Sequence, residues 1–115
     1  MRKIETLMNQ AISNRKDWKS GNTRVVSYNG FDRVDVQLHD NHICTLNHSE
    51  IVLSDGGWRT TTTKSRLNSI IEEFGIEGER VYQKKGQWFV RVYQTETDSF
   101  DDVEWSDSDT NFVLR

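Results

Sequence analysis

Thr23-Arg24-Val25-Val26-Ser27-Tyr28-Asn29-Gly30-Phe31-Asp32-Arg33-Val34-Asp35-Val36-Gln37-Leu38 is the stretch that decides the fold. Val26 and Tyr28 alternate with Val25 and Ser27, and Val34, Val36 and Leu38 alternate with Asp35 and Gln37, which sends successive side chains to opposite faces of a strand. Asn29-Gly30 between the two runs is a hairpin signal, because both residues tolerate positive φ. Asp40-Asn41, between His39 and His42, reads as a second tight turn leading into Ile43 to Leu46, and Ile51-Val52-Leu53 as a short fourth strand. Residues 23–53 are therefore expected to form an antiparallel meander.

Working outward, Ile4, Leu7, Met8, Ala11 and Ile12 recur at helical spacing and predict an amphipathic helix over roughly residues 2–15, with Trp18 as a lid on its apolar face. Gly21-Asn22 breaks that pattern. Beyond the meander, Asp55-Gly56-Gly57 ends the strands, and Leu67, Ile70, Ile71 and Phe74 line one face of a second helix. A threonine among Thr61, Thr62 and Thr63 is expected to cap its start, and Gly75 to follow its end as a C′ residue. Val81 to Lys84 and Trp88 to Tyr93 flank Lys85-Gly86 as a second hairpin.

This order predicts an α+β fold: a mostly antiparallel sheet of about six strands, with both helices packed on one face. Leu7, Ile12, Val34, Val36, Leu67, Ile70, Ile71, Phe74, Val90 and Val92 are expected to share its core. At 115 residues the chain suits one core, placed in residues 1–94. Residues 95–115 are an acidic C-terminal segment in which Phe112-Val113-Leu114 reads as an edge strand or a docking tail.

One cysteine, Cys44, forms no internal disulfide, and no apolar run approaches a membrane span or a signal segment, so a reducing cytoplasm is the expected compartment and no membrane partner is expected. The net charge of −3 conceals an asymmetry: residues 1–91 carry fourteen basic against eleven acidic residues, while residues 92–114 carry seven acidic and no basic ones.

The basic body directs attention to Trp58, Arg59, Thr61, Thr62, Thr63, Lys64 and Arg66. Free backbone N–H groups at a helix start, hydroxyls and two or three cations are the donors that hold phosphate, and an indole adds a stacking face. Lys84, Lys85 and Arg91 on the second hairpin would help. No Gly-Lys-Ser/Thr closes the glycine turn, so this is not a P-loop. The alternative is structural: Gly56-Gly57 turn the chain, Trp58 enters the core, and the threonines only cap the helix. At the level of element order alone, the helix, meander and second helix entered through a Gly-rich, Lys-bearing loop resemble double-stranded RNA-binding domains.

The acidic segment suggests a different partner. Asp101, Asp102, Glu104 and Asp107, interleaved with Phe100 and Trp105, could imitate a nucleic-acid backbone on a host protein. They could equally form a solvated connection, or fold onto the basic body and compete there with nucleic acid. His39, His42, Cys44 and His48 lie close in sequence without zinc-site spacing, so no metal and no cofactor is expected. A Cys44 nucleophile lacks any local signature, and Glu72-Glu73 and Asp101-Asp102 read as solvated carboxylates, which makes the chain non-enzymatic on this view.

Met1-Arg2-Lys3-Ile4-Glu5, Gly21-Asn22-Thr23, Leu38-His39, Gly56-Gly57-Trp58 followed by Thr62-Thr63-Lys64-Ser65-Arg66-Leu67-Asn68, and Gln83-Lys84 with Gln87-Trp88 resemble a group of small uncharacterised proteins of tailed bacteriophages. The resemblance covers most of residues 1–90. It implies action inside an infected bacterium and brings no ligand or catalytic residue with it. The expected function is an accessory binding protein: nucleic acid first, through the second helix start, and alternatively a host enzyme or defence system, inhibited through the acidic segment. The oligomeric state is left open.

Overall fold

The computed structural model describes residues 2–28, 30–106 and 111–114. In order, α1 (Lys3–Ser13), β1 (Trp18–Ser20), β2 (Thr23–Ser27), β3 (Val34–Leu38), β4 (Asn41–Leu46), β5 (Ile51–Leu53), α2 (Thr61–Phe74), β6 (Arg80–Lys84), β7 (Gln87–Gln94), β8 (Ser99–Glu104) and β9 (Phe112–Leu114) make an α+β fold. The six-stranded antiparallel sheet runs β1-β2-β3-β4-β5-β9, and β6-β7-β8 form a second, three-stranded sheet. The expected six-stranded sheet is therefore present, but the second hairpin is not part of it. Two contacts keep the sheets apart. β9 occupies the free edge of β5, and the Asn68 side chain on α2 bonds both backbone groups of Val81, donating to its O at 2.8 Å and accepting from its N at 2.7 Å. An amide side chain thus stands where another strand would have paired.

The meander forms as its alternation requires, with Val25, Val34, Val36 and Leu38 buried. Its turns differ in detail. Asn29 lies outside the described residues, and the connection is longer than a two-residue hairpin, since Ser27 pairs with Val34 and Phe31 N–H closes on Tyr28 O. The β3–β4 turn is His39-Asp40 rather than Asp40-Asn41. Leu38 pairs with Asn41, and both turn residues take positive φ, 51° and 65°, as a primed turn demands. A bulge between Val36 and Gln37 breaks the β3–β4 register so that Ile43 and Cys44 are buried in succession.

The core joins Met8, Ile12, Val34, Val36, Leu67, Ile70, Ile71 and Val90, with Phe74 and Val92 packed at its margin. Leu7 is a correction: it is 37 % exposed, because the buried stripe of α1 runs through Glu5, Met8, Asn9 and Ile12. The stripe is rotated toward a polar seam with α2. Glu5 Oε2 accepts from Arg66 Nη1 at 2.8 Å and from the Ser65 hydroxyl, while the Asn9 amide donates to Ser69. Trp18, expected as a lid, stands in β1 and packs at the margin of the core.

Thr60, not Thr61 to Thr63, caps α2, its hydroxyl accepting from Thr63 N at 3.0 Å. Gly75 ends the helix at φ −93°, outside the left-handed region expected of a C′ glycine. Its small size matters instead, because a Cβ there would lie 2.7 Å from Ile71 O.

Candidate functional site

The chain enters α2 through a loop organised by Asp55, which is 1 % exposed. Oδ1 of Asp55 accepts from Gly57 N at 2.8 Å and Oδ2 from Arg59 Nε at 2.9 Å, and Trp58 N–H bonds Asp55 O. Gly56 and Gly57 both take positive φ, and a Cβ on Gly56 would meet Asn41 Cβ at 3.0 Å, so glycine lets the loop press against the start of β4. Pinned on both sides, the loop sends the Trp58 ring outward: it is 71 % exposed and does not enter the core.

Beside this ring lies a half-open cleft of about 470 Å³ between the β3–β4 turn and the start of α2. Leu38 and Ile43 supply apolar lining, and Asn41, His39, Thr60 and Thr62 line it with polar groups. The bulge in β4 brings Ile43 to the cleft, and Ser54 N–H bonds Ile43 O to tie β5 to the same point. With Thr63 N capped and Lys64 N bonded to Thr60 O, the N–H groups of Thr61 and Thr62 have no partner among the described residues.

The expected cations divide into two groups. Lys64 Nζ donates to Gln83 Oε1 at 2.9 Å and lies over the Trp88 ring, while Lys84, the last residue of β6, and Lys85 in the following turn are exposed. Lys64 itself is half-buried. Arg59 is held by Asp55 and lies over Trp88 and Trp105, with one guanidinium nitrogen, Nη2, buried and unpartnered. Arg66 is a correction: it is 4 % exposed, bound to Glu5 and to Thr23 Oγ1, and cannot reach a ligand at the helix start. Thr63 is also buried, its hydroxyl donating to Trp58 O.

The acidic candidates sit on β8. Asp101, Asp102 and Glu104 are exposed, with Asp102 3.9 Å from Arg91, and Asp107 lies outside the described residues. Phe100 packs edge-on against Tyr93 and covers Gly78. Trp105 is no surface anchor: at 2 % exposure it packs against Trp88 and Phe112 and joins the two sheets.

Of the histidine cluster, His42 Nε2 bonds Thr45, His48 Nδ1 bonds Asp32 and His39 faces Asn22. No three His, Cys, Asp or Glu residues converge as metal ligands among the described residues. Cys44 is fully buried, and burial pushes its thiol far above the ordinary range.

One buried cluster escaped the sequence. Asp35 is 5 % exposed on the face of the large sheet away from the core, and accepts bonds from Arg33 Nε and Nη2, Tyr28 OH and Thr45 Oγ1. Burial pushes its carboxyl up, but the bonds from Arg33, Thr45 and Tyr28 outweigh this and hold it below the usual carboxylate range. A depressed folded-state value stabilises the fold above the unfolded value and loses that contribution as pH falls through the folded one. The urea midpoint of the unaltered chain is therefore expected to fall more steeply below about pH 4 than that of Asp35→Asn. Equal acid slopes would assign the loss to other carboxylates.

A family model matches residues 1–111, from ahead of α1 to the residue before β9. The chain belongs to the Kyanoviridae Gp96 protein family. Membership makes it a phage protein, and the Gp96 match takes in β8, which the resemblance over residues 1–90 had left out. No curated protein and no solved structure matches the chain. No helix among the described residues is long and apolar enough to cross a membrane.

Proposed function

We propose that this phage protein is a non-enzymatic accessory protein that binds nucleic acid at the cleft beside the start of α2. The observation that carries the proposal is the Trp58 ring, 71 % exposed at a cleft with apolar lining and neighbouring polar donors. Large rings are ordinarily covered in a folded chain, and an exposed indole beside such a cleft is a stacking surface for an unpaired base. The unpartnered N–H groups of Thr61 and Thr62 suit a phosphate, and Lys64, Lys84 and Lys85 give the backbone three cations. With only three, binding is weak and strongly dependent on salt. The burial of Cys44 supports a non-catalytic role, since a thiol that does not ionise is a poor nucleophile.

The test is titration of an oligothymidylate at low salt. Trp58→Ala is expected to weaken binding roughly ten- to a hundredfold, which is the contribution of one base–indole stack. Replacing Lys64, Lys84 and Lys85 together by Gln should flatten the salt dependence by about two units of slope, since about 0.7 counterion is released per single-strand phosphate. If the unaltered chain bound neither single- nor double-stranded DNA nor RNA at low salt, the proposal would be wrong.

A further inference from the structure

The small sheet has two edges, and the molecule treats them differently. At the β6 edge the outward N–H and C=O of Val81 are both satisfied by Asn68. At the β8 edge no described residue pairs with the strand beyond β7. The direction of its backbone groups follows from the ladder. Trp105 N–H bonds Trp88 O, and alternation along an antiparallel pair then turns residues 103, 101 and 99 toward β7 and residues 104, 102 and 100 outward. The same alternation across β7 turns Val81 away from Val90, which is where Asn68 meets it.

We propose that the open edge of β8 receives an extended strand of a protein partner in which lysine or arginine alternates with apolar residues. The outward N–H and C=O of Phe100, Asp102 and Glu104 supply the main-chain pairing that strand addition uses. The side chains decide which strand is admitted. Asp102 and Glu104 project to one face of the sheet and favour cations directly across the new pair. Val103, 39 % exposed on the opposite face, gains cover from an apolar neighbour. Charges on an edge strand ordinarily keep sheets from joining, and here they exclude a second copy, since β8 against β8 would set carboxylate against carboxylate. A basic strand meets no such barrier. This proposal does not depend on the cleft at α2.

The experiment uses the full chain labelled with ¹⁵N and, as probe, a five-residue peptide of alternating lysine and valine. A fully N-methylated analogue of the same charge serves as control. The probe is expected to shift the amide signals of Phe100, Asp102 and Glu104 and to slow their hydrogen exchange by about tenfold or more, with Ser99, Asp101 and Val103 changing little. The analogue, which keeps the charge and lacks the donors, should do neither. Asp102→Asn should weaken the effect several-fold, whereas Asp102→Pro, which removes an outward donor without touching the β7 ladder, should abolish it. Equal shifts from the analogue, or no added protection with the probe at low salt, would overturn the proposal. The comparison of the two peptides on the unaltered chain decides it without either variant.

Discussion

Arg66→Ala is expected to remove about 3–5 kcal/mol of folding stability, a large part of what a domain of this size has. The guanidinium and the Glu5 carboxylate are 5 % and 4 % exposed and 2.8 Å apart, so removing the arginine leaves a carboxylate buried in the helix seam without its counter-charge. Thr23 Oγ1 also loses the donor that reaches it from α2. Replacing the pair together, as Glu5→Leu with Arg66→Met, should recover much of the loss, because two apolar side chains need no partner. Urea unfolding of the three chains checks this. A single Arg66→Ala variant within about 1 kcal/mol of the unaltered protein would show that the buried pair is not the constraint described here. A loss of nucleic-acid binding in an Arg66 variant would report unfolding rather than contact with phosphate.

Trp105→Ala should have an effect of similar size, about 3–5 kcal/mol, by emptying the space between Trp88 on the small sheet and Phe112 on the large one. Arg59, which lies over both indoles, would lose one of its two faces. The expected signature is a lower urea midpoint together with loss of the near-ultraviolet circular dichroism of the packed indoles, and Trp105→Phe should retain more of both. A Trp105→Ala chain with unchanged midpoint would mean that the junction between the sheets is held elsewhere.

These two residues show where the sequence could and could not be read. Leu67, Ile70, Ile71 and Phe74 declared α2 through local spacing, and the Val34 to Leu38 alternation declared β3, because helix and strand periods are carried by neighbours in the chain. Arg66 looked like a ligand for phosphate because its partner, Glu5, lies sixty-one positions away and on another helix. Within α1, Glu5 and Asn9 stand at i and i+4, opposite Ser65, Arg66 and Ser69. That spacing was the one available sign of a polar seam. β8 was hidden by its own composition: Asp101, Asp102 and Glu104 suggested a solvated linker, yet pairing with Val92, Arg91 and Phe89 makes a strand of it. The Asp35 cluster was hidden for the same kind of reason, since Thr45 reaches Asp35 only through the β3–β4 register. At the candidate site the Gly56-Gly57 turn and, to within a residue, the start of α2 were legible, whereas the burial of Arg66 and Trp105 was not.

The pairing of β9 with β5 governs the order in which the chain can assemble. Their register, Ile51 with Leu114 and Leu53 with Phe112, joins segments separated by all of α2 and the small sheet. Until that intervening region has been made and has collapsed, β5 presents a bare flank of Ile51, Val52 and Leu53 on which a neighbouring nascent chain could dock. Contacts of such long sequence separation close late and slowly, and the interval before they close is when aggregation competes with folding. For a Gp96 protein the hazard therefore falls at β5, in the time between its emergence and the arrival of β9.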